Sequence, residues 1–352
     1  MDLELLQERA RIFREIRAFF DKRSYLELDT PLLAPDLIPE TCLEVFETAY
    51  LAPPNSKTRE TQPYWLIPSP EIWMKRIIAR HRASVYQICK CFRNGESTGR
   101  LHSPEFTMLE YYTMDANYLD SLTLTEDLFA SLLGDSADLH PPFLRITMEE
   151  AFSRWAGFSL FDAAEKGILA AEARKLGLNP PTELDTPALY DLIFIHTVEP
   201  ALPKDKAVVI TDYPAFVPCL AQKSPDHRTV ERWELYVRGI ELANCYSEET
   251  DPEEVRRYFE REGALKNQNA LVPHRIDGDY WQNFLPKPSP NTPPTRLDLP
   301  TRPGEAFGFS KGKSSGFPPC SGVALGLDRL VMALTGRSSI DSVLPFPMHH
   351  TP

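Results

Sequence analysis

The stretch CFRNGESTGRLHSPEFTMLEYY, residues 91–112, decides the fold. It joins the strand-like run SVYQICKCFR (84–93) to a second one, FTMLEYYTM (106–114), through a polar loop that holds Gly95, Glu96, Gly99, Arg100, His102 and Ser103. Runs rich in β-branched and aromatic residues, separated by Gly and Ser, predict an antiparallel hairpin with a long loop. Alternate strand residues share a face, so Phe106, Met108, Glu110 and Tyr112 should point the same way. Arg93 closes the first strand. With Arg100 and His102 it offers the charge-assisted, fork-shaped hydrogen bonds that phosphate oxygens accept. Phe106 adds a flat surface for a purine. For any one of these residues alone, a salt-bridged surface loop is the competing reading.

Two further segments carry chemistry. ERWELYVRGIELANCYSEE (231–249) reads as a second hairpin turning at Arg238-Gly239, with Glu234, Glu241 and Glu248 on strand-forming sequence. Carboxylates on buried strands are costly unless paired or bound to a cation, which points to magnesium escorting nucleotide phosphates; a solvated sheet face is the alternative. Strict alternation sets Glu241 opposite Asn244, Tyr246 and Glu248, so a bulge near Ala243 is required if all serve one site. CSGVALGLDRLVMALTG (320–336) reads as a glycine-containing strand followed by a helix opening around Asp328. Gly322 and Gly326 sit where backbone can approach a ligand, and Arg329 could stack on a purine from the side opposite Phe106, a contact of roughly 0.5–2 kcal/mol. An ordinary strand-to-helix junction is the competing reading.

Elsewhere, Leu5, Ile12, Ile16, Phe19 and Phe20 recur at helical spacing, ahead of a strand YLELDTPLL (25–33) interrupted at Pro31. Such a helix and edge strand hint at a dimer. YWLIPSPEIWMKRIIARH (64–81) predicts a strand, a turn at Ser69-Pro70, and a helix from Glu71 with Pro70 at its first position. Residues 120–205 are mainly helical, an expected insertion on the main domain, and 251–271 form a charged surface helix. Residues 285–319 are rich in Pro, Gly and Ser and predict an extended loop.

With 352 residues and 42% hydrophobic content, the chain can bury one large core or two ordinary ones. A net charge of -12 argues against a broad nucleic-acid surface. The six cysteines form no CxxC pair, and Cys89 and Cys91 read as ordinary strand cysteines in preference to half a zinc site. The amino terminus is charged helix, not a signal peptide, and no apolar run is long enough to span a bilayer, so a cytoplasmic protein is expected.

Taken in order, the first helix with Pro31, then CFRNGESTGRLHSPEFTMLEYY, then GVALGLDRLVMALTG, resemble the three signature motifs of class II aminoacyl-tRNA synthetases. HSPEFTMLEYY and GIELANCYSEETD are similar to the lysyl branch. The first motif begins almost at Met1, so no anticodon-binding barrel is expected ahead of it. SPEIWMKR, GIELAN and CSGVALG resemble the elongation factor P–lysine ligase family, as does Ala324 where tRNA-charging lysyl enzymes are expected to carry glycine. The resemblance implies an α+β fold, a single class II synthetase-like catalytic domain over 1–352 with an antiparallel sheet flanked by helices, usually dimeric. It implies ATP-dependent activation of (R)-β-lysine or lysine and transfer to a lysine of elongation factor P.

Carried over by position, the resemblance puts Arg93 on the α-phosphate, adenine between Phe106 and Arg329, and Mg2+ on Glu234 and Glu241. Asn94, Gly95, Glu96, Arg100, His102, Ser103, Leu242 and Gly326 complete the expected ATP site. Ser69, Pro70, Glu71, Glu110, Tyr112, Asn244, Tyr246, Glu248 and Ala324 would line the amino-acid pocket. The chain departs from the pattern at Gly95 and Glu96, in a loop one residue longer, at Ser103, which replaces an asparagine, at Cys245, which replaces a glycine, and in the length of 285–319. The alternatives are a stand-alone lysyl-adenylate enzyme charging tRNA or a small amine, with tRNA counted against by the acidic charge, and a non-catalytic amino-acid-binding paralogue.

Overall fold

The apolar spacing at the amino terminus forms α1 (Leu3–Asp21), whose buried residues are Leu5, Ile12, Ile16, Phe19 and Phe20. The computed structural model describes residues 3–53, 61–95, 99–133, 139–286 and 316–347. After α1 come β1 (Leu26–Glu27), β2 (Leu33–Ala34), β3 (Phe46–Tyr50), β4 (Gln62–Leu66), α2 (Glu71–His81), β5 (Val85–Phe92), β6 (Glu105–Met114) and α3 (Tyr118–Leu133). Next are β7 (Leu144–Thr147), α4 (Met148–Ala151), α5 (Leu160–Glu165), α6 (Leu169–Lys175), α7 (Thr186–Ile193), β8 (Ala207–Pro214), β9 (Thr229–Val237) and β10 (Ile240–Ser247). The last are α8 (Pro252–Asn269), β11 (Cys320–Gly326) and α9 (Leu327–Thr335).

An eight-stranded sheet runs β1-β5-β6-β11-β10-β9-β8-β7, and β2-β4-β3 form a smaller one. The large sheet is antiparallel through its centre and parallel at its two ends, where β1 joins β5 and β7 joins β8. Both expected hairpins are present. The second turns on Arg238 and Gly239, both with φ near +60° (54° and 74°), as a two-residue turn between twisted strands requires. Pairing shifts between Glu241 and Ala243, so Leu242 is the bulge that puts Glu241 on the face of Asn244.

Two expectations differ in detail. The strand around Pro31 is divided: β1 belongs to the large sheet and β2 to the small one, because proline cannot donate to a ladder. Helix α2 begins at Glu71 with Pro70 just before it, and the Glu71 N–H is held by Ser69 Oγ at 3.2 Å. The 120–205 region holds helices together with β7 on the edge of the large sheet, and α3 at its start packs into the main core.

Helices α1, α3 and α9 cover one face of the sheet, where Phe20, Tyr111, Leu235, Cys245, Val323 and Val331 share one core. Cys245 therefore points away from Asn244 and Tyr246, and burial holds its thiol well above the ordinary cysteine value. The other face is covered only at its ends, by α4–α7 on one side and by α2 and α8 on the other. The open centre between them holds the polar strand residues. No helix among the described residues is long and apolar enough to cross a membrane.

Candidate active site

The bulge, the first hairpin and the β11–α9 junction meet at one cleft, lined by Arg93, His102, Ser103, Phe106, Glu241, Leu242, Asn244, Ala324, Gly326 and Arg329. The Arg93 guanidinium lies 5.2 Å from the centre of the Phe106 ring. Arg329 is held in place by backbone: Nε donates to Leu101 O at 3.2 Å and Nη1 to Glu241 O at 2.8 Å. The helix that carries it is anchored by Asp328, which lies 2.6 Å from Arg9 Nη1 and accepts the Thr107 N–H at 2.6 Å. Thus α1, on the same face of the sheet, fixes the amino-terminal end of α9. Buried Ser103 Oγ has no hydrogen-bond partner among the described residues, an orphan polar atom facing the cleft.

A second, larger cleft adjoins the first and shares Arg93, Met108, Glu241, Asn244 and Ala324 with it. Its floor is rich in carboxylates. Tyr112 donates to Glu110 at 2.7 Å and Tyr246 to Glu71 at 3.1 Å. Burial, then Glu71, hold the Glu110 carboxyl well above the ordinary range, and its Oε2 has no partner among the described residues. Burial pushes Glu248 up to about 8 although Lys75 pulls it down. Gly322 permits this crowding, since a Cβ there would stand 2.5 Å from the Tyr112 ring and 2.6 Å from Glu248 Oε1. Gly326, by contrast, would accept a Cβ at ordinary contact distance.

Lys75 was not anticipated. It is buried, 2.5 Å from Glu71 and 2.6 Å from Glu248. Burial alone would lower its pKa, but Glu248 and Glu71 outweigh burial and hold it well above lysine's ordinary value. Its sequence signal was the i, i+4 spacing from Glu71 within a helix.

Glu234 accepts from Arg232 at 2.6 Å and from Tyr236 at 2.6 Å. Glu241 is 39% exposed in side chain yet pushed up to about 7, first by burial and then by Glu234. The two facts agree physically, because water reaches its tip at the bottom of a cleft walled by protein. Two neighbouring carboxylates in a cleft are a donor set that suits Mg2+, which commonly takes one or two carboxylates together with phosphate oxygens. Among the described residues no group of three or more His, Cys, Asp or Glu is arranged to hold a metal without such a ligand.

Some expected residues stand elsewhere. Asn94 and Gly95 support the neighbouring segment, with Asn94 Nδ2 donating to Val45 O at 3.2 Å and Gly95 at φ +69°. Arg100 is exposed and Pro70 is buried behind Ser69, neither of them lining the clefts. Glu96 lies outside the described residues, as does most of 285–319. Cys89 and Cys91 share a strand face, their Sγ atoms 3.8 Å apart.

The arrangement joins an arginine- and aromatic-lined cleft, suited to a nucleotide, to a carboxylate-lined pocket suited to ammonium groups. The family model described as tRNA synthetases class II (D, K and N) matches residues 3–284 and 305–350. The elongation factor P–(R)-β-lysine ligase of Avibacterium paragallinarum is 33% identical over 349 residues, covering 99% of this chain and 96% of that protein.

Proposed function

Because the chain belongs to the class II tRNA synthetases and, among them, to the elongation factor P–(R)-β-lysine ligase family, we propose that it activates (R)-β-lysine, or lysine, with ATP and transfers the acyl group to the ε-amino group of a lysine on elongation factor P. The carrying observation is the junction of the two clefts at Arg93, Asn244 and Ala324. A substrate with two ammonium groups needs several carboxylates, and Glu71, Glu110 and Glu248 supply them beside the phosphate arginine.

In this reading adenine lies between Phe106 and Arg329, and Arg93 meets the α-phosphate. The substrate carboxylate attacks that phosphorus and pyrophosphate leaves. Glu234 and Glu241 would hold Mg2+, which supplies positive charge at the phosphates. No covalent enzyme intermediate is needed; catalysis rests on positioning and on stabilising charge at phosphorus. The proposed setting is the cytoplasm.

Mass spectrometry of elongation factor P after incubation with the protein, ATP and each lysine isomer tests the proposal. The expected result is one added β-lysyl group, with β-lysine preferred over α-lysine in pyrophosphate exchange. Label appearing on tRNA while the factor stays unmodified would favour the tRNA-charging alternative, and absence of any adenylate would favour the non-catalytic one. The proposed assembly is a homodimer, since β1 is the outer strand of the large sheet and its Leu26 is 53% exposed. Sedimentation equilibrium should return twice the chain mass of 40.0 kDa.

A further inference from the structure

The segment 35–45 forms one wall of the carboxylate-lined cleft, contributing Ile38, Glu40, Thr41, Cys42 and Leu43. It is pinned along its length. Leu37 N–H donates to Arg275 O at 3.0 Å, Thr41 Oγ1 to Glu262 at 2.9 Å, and Asn94 N–H to Glu44 O at 2.9 Å. Lys266 bonds the Leu43 carbonyl, and the Glu44 carboxylate accepts the N–H groups of Leu271 at 3.1 Å and Val272 at 3.0 Å. A wall held this firmly fixes where Glu40 stands.

Among the described glutamates lining the cleft, Glu40 alone has a carboxylate engaged by no hydrogen bond or ion pair. Glu71 and Glu248 are tied to Lys75, Glu110 to Tyr112, Glu234 to Arg232, Glu241 to Arg329 and Glu262 to Thr41. The charged and titratable groups around Glu40 are Glu71 and Lys75 of α2, Arg93 at the end of β5, Tyr246 of β10, Tyr258 and Lys266 of α8, and Cys42 of its own segment. It therefore lines the same cleft as the arginine assigned to the α-phosphate and the glutamate assigned to the substrate's amino group. The acyl group of an adenylate has to lie in that cleft.

We propose that Glu40 is the catalytic base of the transfer step, meeting the acceptor lysine's ammonium at the cleft and taking a proton from it. The inference rests on the acyl-transfer reading above. An ammonium has no lone pair, so one proton must leave before attack, and Glu40 receives it. The freed nitrogen then bonds to the acyl carbon, the bond from that carbon to the phosphoryl oxygen breaks, and AMP departs with the electron pair. The nitrogen's second proton leaves as the amide forms and passes to the departing phosphate. Burial, then Glu71, push the Glu40 carboxyl up to about 7 against the pull of Arg93, Lys75 and Lys266, which suits a base working near neutrality.

The test compares both half-reactions in Glu40→Gln, using elongation factor P and Nα-acetyl-lysine amide as acceptors of the enzyme-bound adenylate. Pyrophosphate exchange, which involves no acceptor, should stay within about threefold, and that same signal reports that the variant is folded. Single-turnover transfer should fall by roughly 10²-fold with both acceptors, the usual size of a general-base contribution. In the unaltered protein transfer should level off above the Glu40 pKa; in the variant it should keep rising toward pH 9 as solvent supplies free amine. Glu40→Asp should recover part of the rate. Equal losses in exchange and transfer would make Glu40 a substrate-binding group and overturn the proposal, as would transfer that does not change. Glu40-dependent transfer to the small amine, with elongation factor P left unmodified, would uphold Glu40 while removing the assigned protein acceptor.

Discussion

Replacing Arg93 by alanine should lower pyrophosphate exchange by about 10²- to 10³-fold while leaving the unfolding transition in place. Arg93 lines both clefts, so its guanidinium stands where nucleotide and amino acid must meet. Charge develops on the α-phosphate as the substrate carboxylate attacks, and loss of a preorganised donor aimed at such charge has an effect of this size. The fold depends on Arg93 through its backbone, whose N–H donates to Pro104 O at 3.0 Å, and alanine keeps that bond. Lysine at 93 should recover only part of the rate, because an ammonium is a point charge and cannot present two parallel donors. Exchange undiminished in Arg93→Ala would take the phosphate role away from this residue.

How much of this was legible in the sequence depended on the range of the physics involved. The hairpins were, because period-two alternation and turn chemistry are local; even the bulge at Leu242 followed from requiring Glu241 and Asn244 to share a face. Helix α8 was also legible, opening on Asp251, whose side chain accepts the Glu253 N–H at 2.9 Å. Strand β8 was not read, although AVVIT is β-branched, because the helical text before it dominated the segment. Nor was β7, only four residues long. Within the site, residues on strands could be placed by parity alone, which is why Phe106, Glu110, Asn244 and Glu248 fall where expected. Lys75 and Glu40 were missed for a different reason. A lysine in a helix usually reaches solvent, and only the packing of α2 against β10 turns this one inward between two glutamates; Glu40 sits on a segment with no period at all, placed by contacts with residues more than 200 positions away. The ion pair of Arg9 with Asp328 is equally remote in sequence, and Asp328 alone looks like an ordinary helix-start residue.

The inward lysine leads to the largest expected effect on stability. Lys75→Met should lower the unfolding free energy by about 3–5 kcal/mol near pH 9–10, the range for removing one partner of a buried ion pair, because Glu248, ionised in the unaltered protein above about pH 8, is then left buried without its cation. The pH dependence follows from the direction of each shift. Lys75 is held above its unfolded value, so its contribution is fully present below about 10.4 and is lost only as pH rises through its folded value. Glu248 is at about 8 in the folded chain against about 4.3 unfolded, so the folded state binds the extra proton between those values and this group's contribution falls as pH rises across that window. Without Lys75 the carboxyl moves further up, and protonation relieves more of the unpaired charge as the solution is acidified. The deficit of Lys75→Met should therefore grow as pH rises from about 8 toward 10 and stay nearly constant below about pH 7, as read from urea unfolding at several pH values. Adding Glu248→Gln to Lys75→Met should recover much of the stability lost near pH 10, since a neutral pair of similar shape leaves no charge stranded, but it should not recover exchange activity, because a carboxylate assigned to the substrate's ammonium is gone. A deficit that is the same at pH 7 and pH 10 would show that Lys75 contributes by packing and not by charge.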